Sequence, residues 1–403
     1  MVPEVIAETA KTKGINLIAT GDFTHPLWIE DLKRKLVPAE LGLYQLKEKQ
    51  DQFPVRFIVG GEISSIYSRG GKTRRVHNVI LLPSLESAEK INTRLSWQGN
   101  LHSDGRPILG MDSQELLKIV LDIEPRALFI PGHAWTPWFA VFGSMSGFNS
   151  LKEAFGDDEK YIHAIETGLS SDPAMNWRLS ALDKVTLVSN SDAHSPDNLG
   201  REVNVFDISM SYEAMYEAIV KKDKNKFLYT IEFYPEEGKY HYDGHRLCQV
   251  SSHPSETKKY KGICPVCHKS LTIGVLSRVE ELADRPEGYV PENAIPYKKL
   301  VPLKEIIADV LNVQSKTKKV EEYYHNLISH FVNEFNVLLE TGIKELIPYS
   351  SDKIAEAIQR VRDGKLIIKP GYDGEYGKIK IFDDQVSQKT DGVVEQGSLF
   401  GDL

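Results

Sequence analysis

The chain has 403 residues, of which 41% are hydrophobic, so it is long enough for two or three domains with sizeable cores. Three cysteines are too few for a disulfide framework. Because the sequence shows neither a signal peptide nor an apolar run of about 18 residues, we expect a soluble, cytoplasmic protein without membrane contacts. The formal net charge of −8 excludes a protein that coats nucleic acid by charge alone, although local basic patches and bound cations could still attract it.

Apolar runs that carry metal-binding side chains recur along the first 235 residues. The runs lie at 17–22, 57–62, 75–82, 127–133, 162–166 and 185–194, and the side chains are Asp22, Glu62, His77, His133, Glu166, Asp192 and His194. Segments with helical patterning, such as 3–13, 113–121 and 175–182, lie between several of the runs. One such side chain could cap a turn or pack in a core, but several in register predict a shared metal site. The alternation predicts an α/β barrel with its active site on one rim.

Three of these motifs resemble those of the polymerase-and-histidinol-phosphatase (PHP) superfamily, whose members are metal-dependent phosphoesterases with a distorted β/α barrel. They are Gly-Gly-Glu-Ile-Ser at 60–64, Val-His-Asn-Val at 76–79 and Asn-Ser-Asp-Ala-His at 190–194. Within the superfamily the chain is similar to endonuclease Q, a DNA-repair nuclease, over about residues 1–385. The matching stretches are 19–22, 131–138, 240–246, 262–267, 278–285 and 370–374.

The resemblance implies cleavage of double-stranded DNA on the 5′ side of deaminated bases (uracil, hypoxanthine or xanthine) or abasic sites. Two or three divalent cations (Zn, Mn or Mg) would bind the scissile phosphate and activate a water. Asp192, Glu62 and His194 are the predicted catalytic residues, and Glu62 is the predicted bridging ligand because a carboxylate can bridge two ions. The other predicted ligands are Asp22, His77, His133 and Glu166, with His25 as a further candidate.

The sequence departs from the superfamily pattern at its beginning. Members open with a strand bearing His-x-His, whereas this sequence has no His before His25. We expect a start placed too late or a truncation, with an incomplete first strand and an open barrel edge. Two other functions therefore stay open: a small-molecule phosphatase of the PHP type, and a non-catalytic DNA- or clamp-binding protein.

A second metal site is predicted between residues 236 and 290. His245-x2-Cys248 and Cys264-x2-Cys267 are separated by fifteen residues, which is the spacing of two knuckles that bind tetrahedral zinc. Four protein ligands leave no open position, so we expect one structural zinc that orients a DNA-contacting insertion. Alternatives for the histidine ligand are His253, His241 and His268.

Aromatic and basic residues suggest contacts with substrate. Trp135 and Trp138 follow His133 closely, and they could equally pack in the core or stack on a DNA base. Arg74 and Arg75 form a basic patch that could contact DNA or belong to an ordinary solvated surface.

Four regions follow from these patterns: a PHP-type barrel at 1–235, a zinc module at 236–290, a helical and mixed domain at 291–385, and a disordered tail at 386–403. The third region could contact DNA or simply cap the barrel. The tail carries Gln396, Leu399 and Phe400, which resemble the peptide that bacterial proteins use to bind the replication sliding clamp. The alternative is an apolar terminus without function.

Overall fold

A long antiparallel hairpin lies at the centre of a seven-stranded sheet. Its strands are β4 (Arg56–Arg69) and β5 (Lys72–Leu82). Gly70 and Gly71 form the connection at φ of 62° and 72°, a conformation that a two-residue hairpin turn requires and glycine adopts without steric cost. The computed structural model describes residues 1–49 and 54–383, so the predictions for the tail lie outside the described residues.

Five further strands complete this sheet. β1 (Leu17–Ala19) and β6 (Ile108–Leu109) pair parallel to β4, while β7 (Leu128–Pro131) pairs antiparallel to β5. β2 (Leu36–Pro38) and β3 (Tyr44–Leu46) extend the sheet beyond β4. The prediction of a mixed α/β fold is confirmed, but the antiparallel hairpin replaces regular alternation. Within the described residues the strand pairings do not close into a ring.

Smaller sheets lie beside the large one, and their strands continue in chain order. β8 (Ala164–Glu166) and β9 (Thr186–Val188) form a parallel pair. β10 (Val203–Phe206) pairs with β11 (Phe227–Glu232), which also pairs with β14 (Tyr297–Lys299). β12 (Asp243–His245) pairs with β13 (Val250–Ser252), and β15 (Ile367–Lys369) pairs with β16 (Lys378–Lys380).

Helices cover the sheets, and several begin at side chains that cap their free N–H groups. The helices are α1 (Pro3–Lys13), α2 (Pro26–Lys35), α3 (Leu85–Leu95), α4 (Ser113–Ile123), α5 (Leu151–Phe155), α6 (Pro173–Asn176), α7 (Tyr212–Val220), α8 (Pro254–Lys259), α9 (Val275–Leu282), α10 (Leu303–Leu311), α11 (Lys318–Phe331), α12 (Ile343–Leu346) and α13 (Asp352–Arg362). Ser84, Asp112 and Ser351 each accept a backbone N–H at the start of α3, α4 and α13. Within the described ranges, no helix combines the length and apolarity that a membrane span requires.

Two large cores hold most of the buried apolar side chains. The first joins α1 to α4 with the central hairpin, and Val275 and Val279 of α9 belong to it. The second joins α10, α11 and α13, and it includes Ile231 and Tyr234 from the end of β11 and just beyond it. Phe227, at the start of β11, belongs to a third, smaller core with Ile58 and Ile130 of the large sheet, so β11 connects that sheet to the C-terminal helices.

Candidate active site

Glu62, His77 and His133 meet at one point although they are far apart in the sequence. Glu62 and His77 lie on the same face of neighbouring strands β4 and β5, and His133 follows β7, the next strand. Glu62 Oε1 lies 2.8 Å from His77 Nδ1 and 3.5 Å from His133 Nε2. The two ring nitrogens are 2.9 Å apart. The prediction that Glu62 ends its strand is wrong, since it lies inside β4, whereas His77 lies inside β5, as its apolar run predicts.

This arrangement suits a cation better than a set of mutual hydrogen bonds. Glu62 Oε1 is buried, and no donor among the described residues is aligned with it. Three atoms with lone pairs thus converge, all within 4.8 Å of one another. An imidazole pair and a carboxylate are ligands that zinc and other divalent metals accept. The residues present therefore fit a metal ion.

The electrostatic environment keeps this carboxylate ionised. Burial opposes ionisation, but the imidazoles of His133 and His77 outweigh it and hold the pKa of Glu62 well below its usual range. Burial lowers the pKa of His77, which favours the neutral ring that a metal ligand needs. For His133 burial also favours the neutral form, yet Glu62 outweighs it and the pKa is raised.

Glu166, at the end of β8, contacts the backbone of the loop that carries His133. Its Oε2 accepts the backbone N–H of His133 at 2.7 Å, and its Oε1 accepts the side-chain amide of Asn190 at 2.8 Å. Burial raises the pKa of Glu166 to about 7. In this conformation Glu166 orients the His133 and Asn190 loops and is not one of the three converging ligands.

Asp22, Asp192 and His194 lie around the cluster on more open loops. Asp192 and His194 are 40% and 74% exposed, and Asp192 Oδ1 lies 3.8 Å from His194 Nδ1. Burial and the neighbouring Asp104 raise the pKa of Asp22, while His194 and His25 oppose this shift. The structure thus brings Glu62, His77 and His133 into contact. Nearby lie Asp22, Asp192, His194 and His25.

The loops that carry these ligands share an unusual backbone conformation. Asp22, His133 and Asp192 have φ of 48°, 28° and 43°, values that residues other than glycine rarely adopt. Such strained residues are often found at functional sites, where the surrounding structure holds them in place. Arg201 holds one of the loops, because its Nε and Nη2 donate to the carbonyl oxygens of Ser191 and Asp192 at 2.8 and 3.2 Å.

Sequence reasoning missed Arg106 and Arg201. Arg106 donates through Nη1 to Glu62 Oε2 at 3.0 Å. Arg106 contacts a residue 44 positions away in the chain, and Arg201 contacts residues 9 and 10 positions away. Neither arginine belongs to a recognisable motif. Their sequence neighbourhoods therefore contain no signal that could have identified them.

The two tryptophans after His133 have different environments. Trp135 is fully buried, packs against Phe142 and donates its indole N–H to Asn176 at 2.7 Å, so the stacking alternative is wrong for this residue. Trp138 is 41% exposed, and its ring centroid lies 6.0 Å from that of Tyr240.

Thr136 links the carbonyl oxygen of Trp138 to His133 of the cluster. Thr136 Oγ1 lies 2.8 Å from His133 Nδ1 and donates to the Trp138 carbonyl oxygen at 2.8 Å.

The predicted basic patch is divided in the same way. Arg74 is buried, where its guanidinium lies 4.1 Å from the Phe148 ring centroid and contacts the Gly147 carbonyl and Glu153. The prediction that Arg74 contacts DNA is therefore wrong, because its donors are used inside the fold. Arg75 is partly exposed beside the Phe139 ring.

The second cluster unites the cysteines of the chain with one histidine. One ligand atom from each of His245, Cys248, Cys264 and Cys267 lies within 4.8 Å of the others. His245 Nδ1 is 3.3 Å from Cys267 Sγ, and all three thiols are free. Three thiols and an imidazole are a zinc donor set. Among the described residues, the alternatives His241, His253 and His268 are not part of this group.

Comparison with solved structures identifies the family. A lesion-specific endonuclease Q from Pyrococcus furiosus superimposes with a TM-score of 0.83 at 31% identity, covering 97% of this chain and 93% of that one. This chain belongs to the endonuclease Q family. A second structure, endonuclease Q in complex with a 27-mer duplex bearing an abasic lesion at the active site, gives a TM-score of 0.82 at 31% identity, covering 98% and 94% of the two chains.

Two uncharacterized proteins also match this chain in sequence. An uncharacterized protein, YqxK of Bacillus subtilis, is 28% identical over 389 residues, which is 93% of this chain and 91% of that protein. An uncharacterized protein, MJ0043 of Methanocaldococcus jannaschii, is 36% identical over 252 residues. These residues are 61% of this chain but 31% of MJ0043, so this chain spans about a third of the length of MJ0043. A family model for the MJ0043 C-terminal domain matches residues 302–365.

Proposed function

We propose that this protein is a metal-dependent DNA-repair endonuclease that cuts the phosphodiester 5′ to a deaminated base (uracil, hypoxanthine or xanthine) or an abasic site. The observation that carries the proposal is the convergence of Glu62, His77 and His133 in a chain that matches endonuclease Q over nearly its whole length. That one relative was solved with a duplex carrying an abasic lesion at its active site supports damaged DNA as the ligand.

Glu62, His77 and His133 would hold a divalent cation (Zn, Mn or Mg), with Asp22, Asp192, His194 and Glu166 as further ligands. When bound, the cation would neutralise phosphate charge and lower the pKa of a water at neutral pH. Glu166 and Arg201 fix the loops that carry His133 and Asp192, which limits the motion of the ligands. The family assignment also supports a distorted PHP-type β/α barrel for residues 1–235.

The remaining regions would bind DNA and a partner. We infer a structural zinc at the four-residue cluster in module 236–290, and a DNA-contacting role for region 291–385. Trp138 is exposed beside the His133 loop, which supports base stacking there, and Arg75 could contact the backbone.

The tail 386–403 would bind the sliding clamp through Gln396, Leu399 and Phe400. Deleting residues 396–403 should leave nicking intact and abolish capture by purified clamp. Unchanged capture would contradict the assignment.

Nicking of labelled duplexes tests the proposed function. Duplexes with one deoxyuridine, one deoxyinosine or one abasic site should be cut 5′ to the lesion in Mg²⁺ or Mn²⁺, and an undamaged duplex should not. Chelation should abolish cleavage, and His133→Ala should do so with metal present. Phosphate release from sugar phosphates without nicking would instead indicate a phosphatase, and lesion binding without cleavage in any metal would indicate a non-catalytic DNA-binding protein.

A further inference from the structure

Arg106 places a positive charge on the carboxylate at the centre of the candidate metal site. Its guanidinium contacts Glu62 Oε2, whereas the contacts to His77 and His133 are made by Oε1. The Arg106 side chain is 37% exposed, whereas Glu62 is 19% exposed. The arginine therefore approaches the cluster from the solvent side, from which a phosphate would also have to enter.

The loop that carries Arg106 is anchored on two sides of the site. Thr24, just after Asp22, donates to the carbonyl oxygen of Gly105 at 3.1 Å, and Ser64 of β4 donates its N–H to the carbonyl oxygen of Pro107 at 3.0 Å. Gly105 packs directly on Asp22, since a Cβ at this position would lie 2.4 Å from the Asp22 carboxyl carbon. A side chain at this position would displace the Asp22 carboxylate, so the loop lies directly against one predicted ligand while its arginine contacts another.

We propose that Arg106 is a phosphate-binding residue that pairs with Glu62 until a cation takes that carboxylate, and then binds a non-bridging oxygen of the scissile phosphate. This inference rests on the proposed function. A guanidinium and a cation compete for the same carboxylate charge, because each is attracted to it and they repel each other. The planar fork of arginine donors matches phosphate oxygens, and its partial exposure leaves it free to turn towards them.

Opposite changes in metal affinity and activity distinguish this role from a structural one. Arg106→Gln removes the competitor for Glu62, so Mn²⁺ affinity measured by titration calorimetry should rise several-fold. The same variant should lose nicking of an abasic duplex at saturating Mn²⁺, by on the order of 10- to 100-fold in kcat. Arg106→Lys, which retains the charge without the fork, should recover part of the rate. A residue that only stabilised the loop would weaken both properties when replaced.

Arg126→Gln provides a matched control. Arg126 is 42% exposed, pairs with Glu213 and Glu217, and precedes β7 at the end opposite His133. The Arg126→Gln variant should change neither Mn²⁺ affinity nor kcat. Unchanged or weaker Mn²⁺ binding by Arg106→Gln would overturn the inference whatever the nicking result, and so would undiminished nicking. If the unaltered protein binds Mn²⁺ but does not nick, the proposed nuclease function fails by itself, and the Mn²⁺ titration still decides whether Arg106 competes for Glu62.

Discussion

Individual side chains at this site owe their properties to their neighbours. Glu62 and Glu166 are both buried carboxylates near His133, yet the pKa of the first is lowered and burial raises that of the second to about 7. The difference follows from their partners, since two imidazoles flank Glu62 whereas Glu166 accepts N–H groups from a backbone and an amide. The same residue type thus joins the converging ligand atoms in one place and in the other anchors the loops of His133 and Asn190.

Asp192 provides the sharpest test of a single residue. Its side chain is partly exposed, so Asp192→Ala should lower the thermal midpoint only slightly, by the cost of placing alanine at a φ of 43°. Nicking of an abasic duplex should fall about 100-fold or more, as expected when a carboxylate at the reacting centre is lost. Asp157→Ala is the control, because Asp157 is 97% exposed and pairs with Lys152. Equal rates for the two variants would remove Asp192 from the catalytic site.

Glu232 predicts a pH dependence of stability. Burial raises its pKa from 4.5 to about 7, against the effect of hydroxyls from Thr230 and Thr167. The folded state therefore holds this proton more tightly than the unfolded state. The resulting stability is complete below about pH 4.5 and is lost as pH rises to about 7.

Glu232→Gln resembles the protonated acid, so it should reduce the decline in unfolding free energy between pH 5 and 8. It should also be more stable than the unaltered protein at pH 8, as urea denaturation would show. Glu86→Gln, on the surface of α3, should keep the original slope. An unaltered slope in Glu232→Gln would contradict the buried, protonated carboxyl.

At the scale of elements, the second cluster joins a small hairpin to the main core. β12 contributes His245, and Asp243 of the same strand accepts from the N–H of Gly274 and from Ser277 at the start of α9. α9 in turn buries Val275 and Val279 in the first core. Loss of a metal at this cluster should therefore affect the packing of α9.

Cys264→Ser tests the zinc proposal. Cys264 is the buried member of the cluster, and its replacement should lower zinc content from about one per chain and reduce the thermal midpoint by several degrees. Native mass spectrometry would measure the zinc. His268→Ala, which changes an exposed neighbour of Cys267 outside the cluster, should retain it. Full zinc content in Cys264→Ser would refute the site.

At the scale of the whole molecule, a buried ion pair ties the first helix to the C-terminal helices. Lys13 Nζ lies 2.6 Å from Glu334 Oε2, with both side chains less than 10% exposed. Glu334 also accepts from the N–H of Leu303 and the hydroxyl of Tyr324, at 2.9 and 2.8 Å. The Asp192 loop lies at the same junction, since Lys304 pairs with Asp197 at 3.3 Å.

Lys13→Ala should therefore destabilise the protein strongly. It leaves the Glu334 carboxylate buried without its counter-charge, a loss of about 3–5 kcal/mol that denaturant unfolding would measure. Lys33→Ala breaks a pair with Glu89 in which both side chains are nearly half exposed, and it should cost less than about 1 kcal/mol. Similar losses in the two variants would show that the buried pair does not secure the junction.

The strands and helices were predictable to different degrees. Apolar runs identify β7, β8 and β9 because burial on both faces leaves a local pattern. An apolar run also identifies β1, although its residues are only partly buried or exposed. The same pattern does not show that β4 and β5 form one long hairpin with Glu62 and His77 inside it. Apolar residues at helical spacing continue past residue 331, but α11 ends at Phe331, where Val332 adopts a φ of 73°.

The sequence by itself determined the kinds of chemistry available, because carboxylates, imidazoles and thiols bind metals wherever they stand, and motif spacing indicated the family. Only the tertiary structure decided which of these groups meet. Trp135 and Trp138 are three positions apart, yet one is buried and the other exposed. Arg106 reaches Glu62 across 44 positions. Such contacts depend on strand register and loop anchoring, which arise from packing between distant segments and leave no mark on neighbouring residues.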